Sequence, residues 1–158
     1  MGKEIERKWM LAPHVDYKEV IEQCGYKEIK DYYFNPYTRL RCVDGTWCIT
    51  IKSEGTLIRD EFEFEIDKSQ IDFLPTPMMI KKRYMKYVGD NIFEINVFEN
   101  LWVTPEINPK PLVIVECEFK DENTNVKLPD FLGAEVTPLK MFYGYELFKR
   151  LKESITEV

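Results

Sequence analysis

Pairs of like charges two residues apart recur along this chain: Glu4 and Glu6, Arg39 and Arg41, Glu61 and Glu63, Lys81 and Arg83, Glu116 and Glu118. On an extended strand, residues i and i+2 share a face, so the members of each pair stand side by side. Like charges so placed repel unless something of opposite sign lies between them. Paired carboxylates form the oxygen-donor arrangement of a hard divalent cation such as Mg2+ or Mn2+. Paired Arg and Lys suit a polyanion, because the guanidinium fork matches phosphate oxygens. A site holding both sets is suited to a metal-bound polyphosphate. No GxxxxGK[ST] loop offers another way to hold phosphates.

The elements that would carry these pairs read mostly as strands. One phase of each is charged or polar: Glu4, Glu6 and Lys8; Arg39 and Arg41; Thr50 and Lys52; Arg59, Glu61, Glu63 and Glu65; Lys81 and Arg83; Glu94 and Asn96; Glu116 and Glu118. The opposite phase is apolar: Ile5 and Trp9, Leu40 and Cys42, Ile49 and Ile51, Phe62 and Phe64, Ile95 and Val97, Val115 and Cys117. The spacing predicts strands over 4–11, 26–34, 38–43, 46–52, 57–66, 79–88, 91–98 and 112–119, with Asp44-Gly45 as a hairpin turn. Short helices are expected over 16–23, entered at Asp16, and over 67–74; a longer one is expected near 142–153. The residues 102–111, with three prolines, read as a loop, 121–125 as a polar turn, and 129–132 as a helical turn. This is one α+β domain over 1–158 dominated by antiparallel strands. Two architectures fit the alternation: a β-sandwich with two solvated faces, or a barrel with a polar lining and helices against its apolar outer face.

Composition narrows the function classes. A 158-residue chain with 44% apolar and 14% aromatic residues can bury a sizeable core. The net charge of −6 gives no general nucleic-acid-binding face. No apolar run approaches the ~18 residues that a membrane span requires. The four cysteines form no CxxC pair or metal-type spacing and read as reduced thiols of a cytoplasmic protein. His14, beside Pro13, is the only histidine and is assigned no role.

Taken in order, Glu4-Ile5-Glu6-Arg7-Lys8, Arg39-Leu40-Arg41, Thr50-Ile51-Lys52, Arg59-Asp60-Glu61-Phe62-Glu63, Lys81-Lys82-Arg83-Tyr84 and Val115-Glu116-Cys117-Glu118 resemble the CYTH domain, the fold of the triphosphate tunnel metalloenzymes. The resemblance implies a closed eight-stranded antiparallel β-barrel whose interior binds a triphosphate with Mg2+ or Mn2+. Carried over position by position, it makes Glu4, Glu6, Glu116 and Glu118 metal ligands. Lys8, Arg39, Arg41, Lys52, Arg59, Lys81 and Arg83 become the phosphate cradle. Glu61 and Glu63 are then candidates for a second metal or for orienting the attacking water, with Lys8 beside them as a catalytic candidate. Lys82 and Arg7 fall on the other phase and read as surface charges.

Two departures stand out. Asn96 occupies a strand position where the family commonly has aspartate; it cannot act as a carboxylate base, though its amide oxygen can contact a metal or a water. The segment Thr137-Pro138-Leu139-Lys140-Met141-Phe142-Tyr143-Gly144 lacks the family's arginine and asparagine, leaving Lys140 as the nearest cation to replace the arginine. The activity implied is hydrolysis of a triphosphate, inorganic tripolyphosphate first. The alternatives are a class IV adenylate cyclase acting on ATP, with Tyr32, Tyr33 or Tyr37 stacking the base, a thiamine triphosphatase, and a triphosphate-binding module without turnover. The partner is a small triphosphate, with no nucleic acid and no membrane; a homodimer is left open.

Overall fold

The computed structural model describes residues 2–54, 58–103, 110–120 and 127–156; side chains of residues 2–4 and of Thr156 are outside the description. Among the described residues nine strands form: β1 (Gly2–Leu11), β2 (Tyr26–Asn35), β3 (Thr38–Val43), β4 (Thr46–Lys52), β5 (Ile58–Ile66), β6 (Met79–Val88), β7 (Asn91–Trp102), β8 (Pro111–Glu118) and β9 (Leu132–Glu135). Neighbours run β5-β4-β3-β2-β6-β7-β8-β1, and a further β5–β1 pairing joins the ends, so eight antiparallel strands close into a barrel. The first strand makes the closure: Gly2 to Ile5 pair with β5, Glu4 facing Arg59, while Glu6 to Trp9 pair with β8. Asp44 and Gly45 both adopt positive φ, 48° and 91°, the backbone a two-residue hairpin turn requires.

The apolar phase faces outward, but its cover is uneven. Trp9, Phe93, Ile95, Val97, Val113, Val115, Cys117 and Phe119 form a core outside β1, β7 and β8, closed by Val20 of the one-turn helix α1 (Tyr17–Val20). Each large side chain so buried contributes about 1.5–3 kcal/mol of transfer free energy. Asp16 caps α1 through Lys18 N at 3.0 Å. Where helices are expected against the apolar outer face, the outer face of β4 and β5 stays open: Ile51, Phe62 and Phe64 are 40%, 48% and 50% exposed. The stretch expected as a helix over 67–74 is a 3-10 turn, Lys68–Gln70, held by a capping box on Asp67.

The longer helix, α2 (Gly144–Thr156), lies across one end of the barrel. Its Leu147, Phe148 and Leu151 pack on Met79, Phe98, Leu101, Leu112 and Ile114. Residues 129–132, expected as a helical turn, make a turn that leads into β9, which pairs with β1. Gly133 is needed there, since a Cβ would lie 2.6 Å from the Leu11 carbonyl oxygen. The expected loop 102–111 and polar turn 121–125 fall largely outside the described residues.

Candidate functional site

Alternation puts the charged phase inside. A cavity of about 340 Å3 runs into the barrel, lined by eight cationic side chains, among them Lys8, Arg39, Arg41, Lys81 and Arg83, and by seven acidic ones. The lining therefore carries a small positive excess within a chain whose net charge is −6. Of the expected cradle, Lys8, Arg39, Arg41, Lys52, Arg59, Lys81 and Arg83 all line this one cavity.

Its acidic centre is Glu6, Glu94 and Glu116, whose carboxylate oxygens lie within 4.8 Å of one another. Strand register explains the cluster: Glu94 and Glu116 are directly opposed on β7 and β8, and Glu116 opposes Lys8 on β1, one inward position from Glu6. Three carboxylates and no sulfur or imidazole make a donor set for a hard divalent cation rather than for zinc. Burial alone would raise the Glu116 carboxyl, yet Lys8, Lys81 and Arg83 outweigh it and hold the group well below the usual carboxylate range. Glu116 is thus ionised and ready to ligate at neutral pH.

This set differs from the expected Glu4, Glu6, Glu116 and Glu118. Glu118 faces the cavity but is exposed at its rim, opposite Glu6 in register. The Glu4 side chain lies outside the described residues; its backbone sits beside Arg59. Glu94 was visible in the inward phase of β7 but was not among the metal candidates.

The cationic half is buried more deeply than any solvated face would allow. Arg39, Arg41 and Lys81 are 8%, 7% and 5% exposed. Arg41 donates to Asp31 in a fork, Nε to Oδ1 at 2.7 Å and Nη2 to Oδ2 at 2.9 Å. Asp31 is fully buried beneath the lining and was not anticipated; the β2 phase 27, 29, 31, 33, which also places Lys27 in the lining, was the signal. The Arg39 Nε is buried with no hydrogen-bond partner among the described residues, a cost of about 1–3 kcal/mol that an anion in the cavity would relieve. Burial, with Arg83 and Arg41 nearby, pulls the Lys81 ammonium from its ordinary 10.5 down to about 7, against opposition from Glu116 and Asp31.

Glu61 and Glu63 line the cavity from β5, between β4 and β1. Lys52 Nζ sits 3.6 Å from Glu61, and the Thr50 hydroxyl donates to Glu63 at 3.0 Å. Lys8 Nζ lies 3.8 Å from Glu6 and 5.9 Å from the Tyr143 ring centre. Arg7 and Lys82 face outward as expected, paired with Glu135 and Glu99.

The C-terminal segment behaves differently from expectation. Lys140 is exposed and does not line the cavity; Phe142, Tyr143 and Gly144 do. Thr137 holds the backbone instead, accepting from Lys8 N at 3.0 Å and donating to Glu135 at 2.6 Å. Of the tyrosines proposed to stack a base, Tyr32 is taken up by Phe34, Phe73 and Phe148; Tyr33 packs on Tyr145 and Phe148 while also lining the cavity, and Tyr37 lines it with its hydroxyl on Glu54.

No protein-family model matches the chain. It is 30% identical to an inorganic triphosphatase of Acetivibrio thermocellus over 168 aligned positions, covering 99% of this chain and 100% of that one. An inorganic triphosphatase of Nitrosomonas europaea is 32% identical over 88% of this chain and 92% of its own. The crystal structure of the inorganic triphosphatase NE1496 matches with a TM-score of 0.61 at 28% identity over 96% of each chain. An adenylate cyclase-like protein of Bacillus halodurans shares the fold alone, at 16% identity and a TM-score of 0.56 over 77% of this chain and 84% of that one. With near-complete coverage at 30% identity and a closed barrel whose charged strand phase faces inward, this chain belongs to the CYTH family of triphosphate tunnel metalloenzymes.

Proposed function

We propose that this protein hydrolyses inorganic tripolyphosphate to pyrophosphate and phosphate inside its barrel, with Mg2+ or Mn2+ as the working metal. The observation that carries this is the meeting, in one cavity, of the Glu6–Glu94–Glu116 cluster with the buried cations Arg39, Arg41 and Lys81. Neither half makes sense alone: the acids would repel one another, and the buried cations would lack sufficient counter-charge. The names of the relatives support the same reaction.

In this reading Arg39, Arg41, Lys81 and Arg83 hold the phosphate chain and offset its negative charge as the terminal bond breaks. A hard divalent cation on Glu6, Glu94 and Glu116 supplies further neutralisation of phosphate oxygens when bound. Glu63, fixed by Thr50, and Glu61, beside Lys52, orient a water in line with the terminal phosphorus and take its proton. Oxygen attacks phosphorus, the bridging P–O bond breaks, and pyrophosphate leaves with the bonding electrons. Lys8 faces the departing oxygen.

Tripolyphosphate is preferred to ATP or thiamine triphosphate because fifteen of the lining side chains are charged and Tyr32 and Tyr33 are engaged in ring packing. The four free cysteines support a cytoplasmic setting; no helix among the described residues is long and apolar enough to cross a membrane. The test is phosphate release from tripolyphosphate, ATP and thiamine triphosphate, each with Mg2+, Mn2+ or chelator. Turnover of tripolyphosphate well above the other two is expected. Metal-independent release, or cyclic AMP from ATP, would refute the proposal.

A further inference from the structure

Asn96 is the only fully buried amide in the tunnel wall among the described residues, with 0% exposure. Its partners determine its orientation. The Arg83 Nε donates to Oδ1 at 2.8 Å, so that end is the oxygen. Nδ2 donates to the Ile114 carbonyl at 3.1 Å and to Glu116 Oε1 at 3.3 Å, with the Glu94 carbonyl also at 3.3 Å, so that end carries the hydrogens. The amide oxygen is therefore engaged by Arg83 and is not turned toward a metal or a water.

Geometry forces these contacts. Asn96 opposes Arg83 on β6 and Ile114 on β8, and lies one inward position from Glu94. Arg83 completes the loop through Nη1, 3.2 Å from Glu94 Oε2. Asn96 thus joins the Glu116 carboxylate to Arg83, and Arg83 in turn reaches the Glu94 carboxylate. An aspartate here would present oxygen to the Ile114 carbonyl and to Glu116, two groups that can only accept. With these neighbours an amide accepts on one side and donates on the other, which an ionised aspartate cannot do.

We propose that Asn96 is a positioning residue that fixes the Glu116 carboxylate and the Arg83 guanidinium as one unit, so that metal affinity and phosphate affinity are coupled through it. The inference rests on the triphosphate-tunnel reading of the cavity. Neighbours that hold a ligating carboxylate change metal affinity by about 10–100-fold when removed.

The test uses the full chain without turnover. Mn2+ binding by calorimetry and tripolyphosphate binding in chelator are measured for the native protein, Asn96→Ala and Asn96→Ser. Folded variants should bind Mn2+ about 10-fold more weakly, and tripolyphosphate more weakly too. Asn96→Ala should cost little extra Mn2+ affinity in a Glu116→Gln background, and little extra tripolyphosphate affinity in an Arg83→Ala background. Should both Asn96 variants fail to fold, the native side-chain amide resonance of Asn96 carries the test. It should shift on Mg2+ addition and again on metal-free tripolyphosphate. Folded variants with both affinities within 2-fold of native, additive effects in either background, or an amide resonance unmoved by both ligands would overturn the proposal. A native protein that binds neither ligand would overturn the functional reading and this inference together. A native protein that binds both, with unaffected variants, would overturn this inference alone.

Discussion

Lys81 should make substrate affinity fall as pH rises. Its ammonium titrates near 7 in the ligand-free barrel because burial and two neighbouring arginines disfavour the charge. A bound triphosphate adds several negative charges against it and returns its pKa toward the ordinary 10.5, so binding draws a proton from solution. Affinity is then full below pH 7 and falls about ten-fold per unit above it, close to 100-fold between about pH 6 and pH 9. The sign on stability is the reverse of a gained cation: the depressed lysine destabilises the empty fold most below 7, and the fold gains stability as pH rises from 7 toward 10.5. The assay is tripolyphosphate binding by calorimetry in chelator, in buffers of different ionisation enthalpy, with Lys81→Arg as reference. Arginine stays charged throughout, so any residual slope belongs to the ligand's own protons. Native and Lys81→Arg profiles that superimpose from pH 6 to 9, with no proton uptake near neutrality, would refute the reasoning.

Two further outcomes follow from groups beneath and beside the lining. Burial would raise the Asp31 carboxyl, but Arg41, with Arg39 and Lys81, holds it far below its ordinary 3.8; its contribution to stability is present above that value and is lost as pH falls through the lower folded one. Asp31→Asn strands the Arg41 charge and should cost about 3–5 kcal/mol, a drop of about 10 °C in Tm by calorimetry, and a change under 2 °C would contradict the pairing. A Cβ on Gly144 would overlap the Tyr33 hydroxyl and Cζ. Gly144→Ala should therefore lower Tm, and Tyr33→Ala in the same chain should recover part of the loss; no recovery would place the strain elsewhere.

The alternation of β3, β4 and β5 was readable to the residue at most ends, because half-buried strands impose period two on every side chain. The direction of the faces was not. Alternation alone is equally satisfied by a sandwich with charges outside, and only the ordered motif pieces favoured the barrel. Asp31 escaped because a lone aspartate among tyrosines and a lysine makes no like-charged pair; its meaning appears only once register places it against Arg41. Glu94 and Asn96 were legible as inward-phase residues, but the place of Glu94 in the acid cluster and the task of Asn96 were not. Their neighbours come from β6 and β8, so neither the cluster nor the amide's orientation exists until the sheet is paired. The end of the barrel was least legible, since α2 packs on Met79, Phe98 and Ile114, inward-phase apolar residues that look like interruptions of the charged face.

In the proposed reaction one cavity joins a metal-binding acid cluster to a phosphate-binding basic wall. This is tested most directly by the rate of phosphate release from tripolyphosphate with Mg2+ or Mn2+, for the native protein and for Glu116→Gln. The native chain should release phosphate only when metal is present, and the variant, while folded, should lose at least ~100-fold in rate. Equal rates for both proteins, or release by the native chain in chelator, would contradict the account.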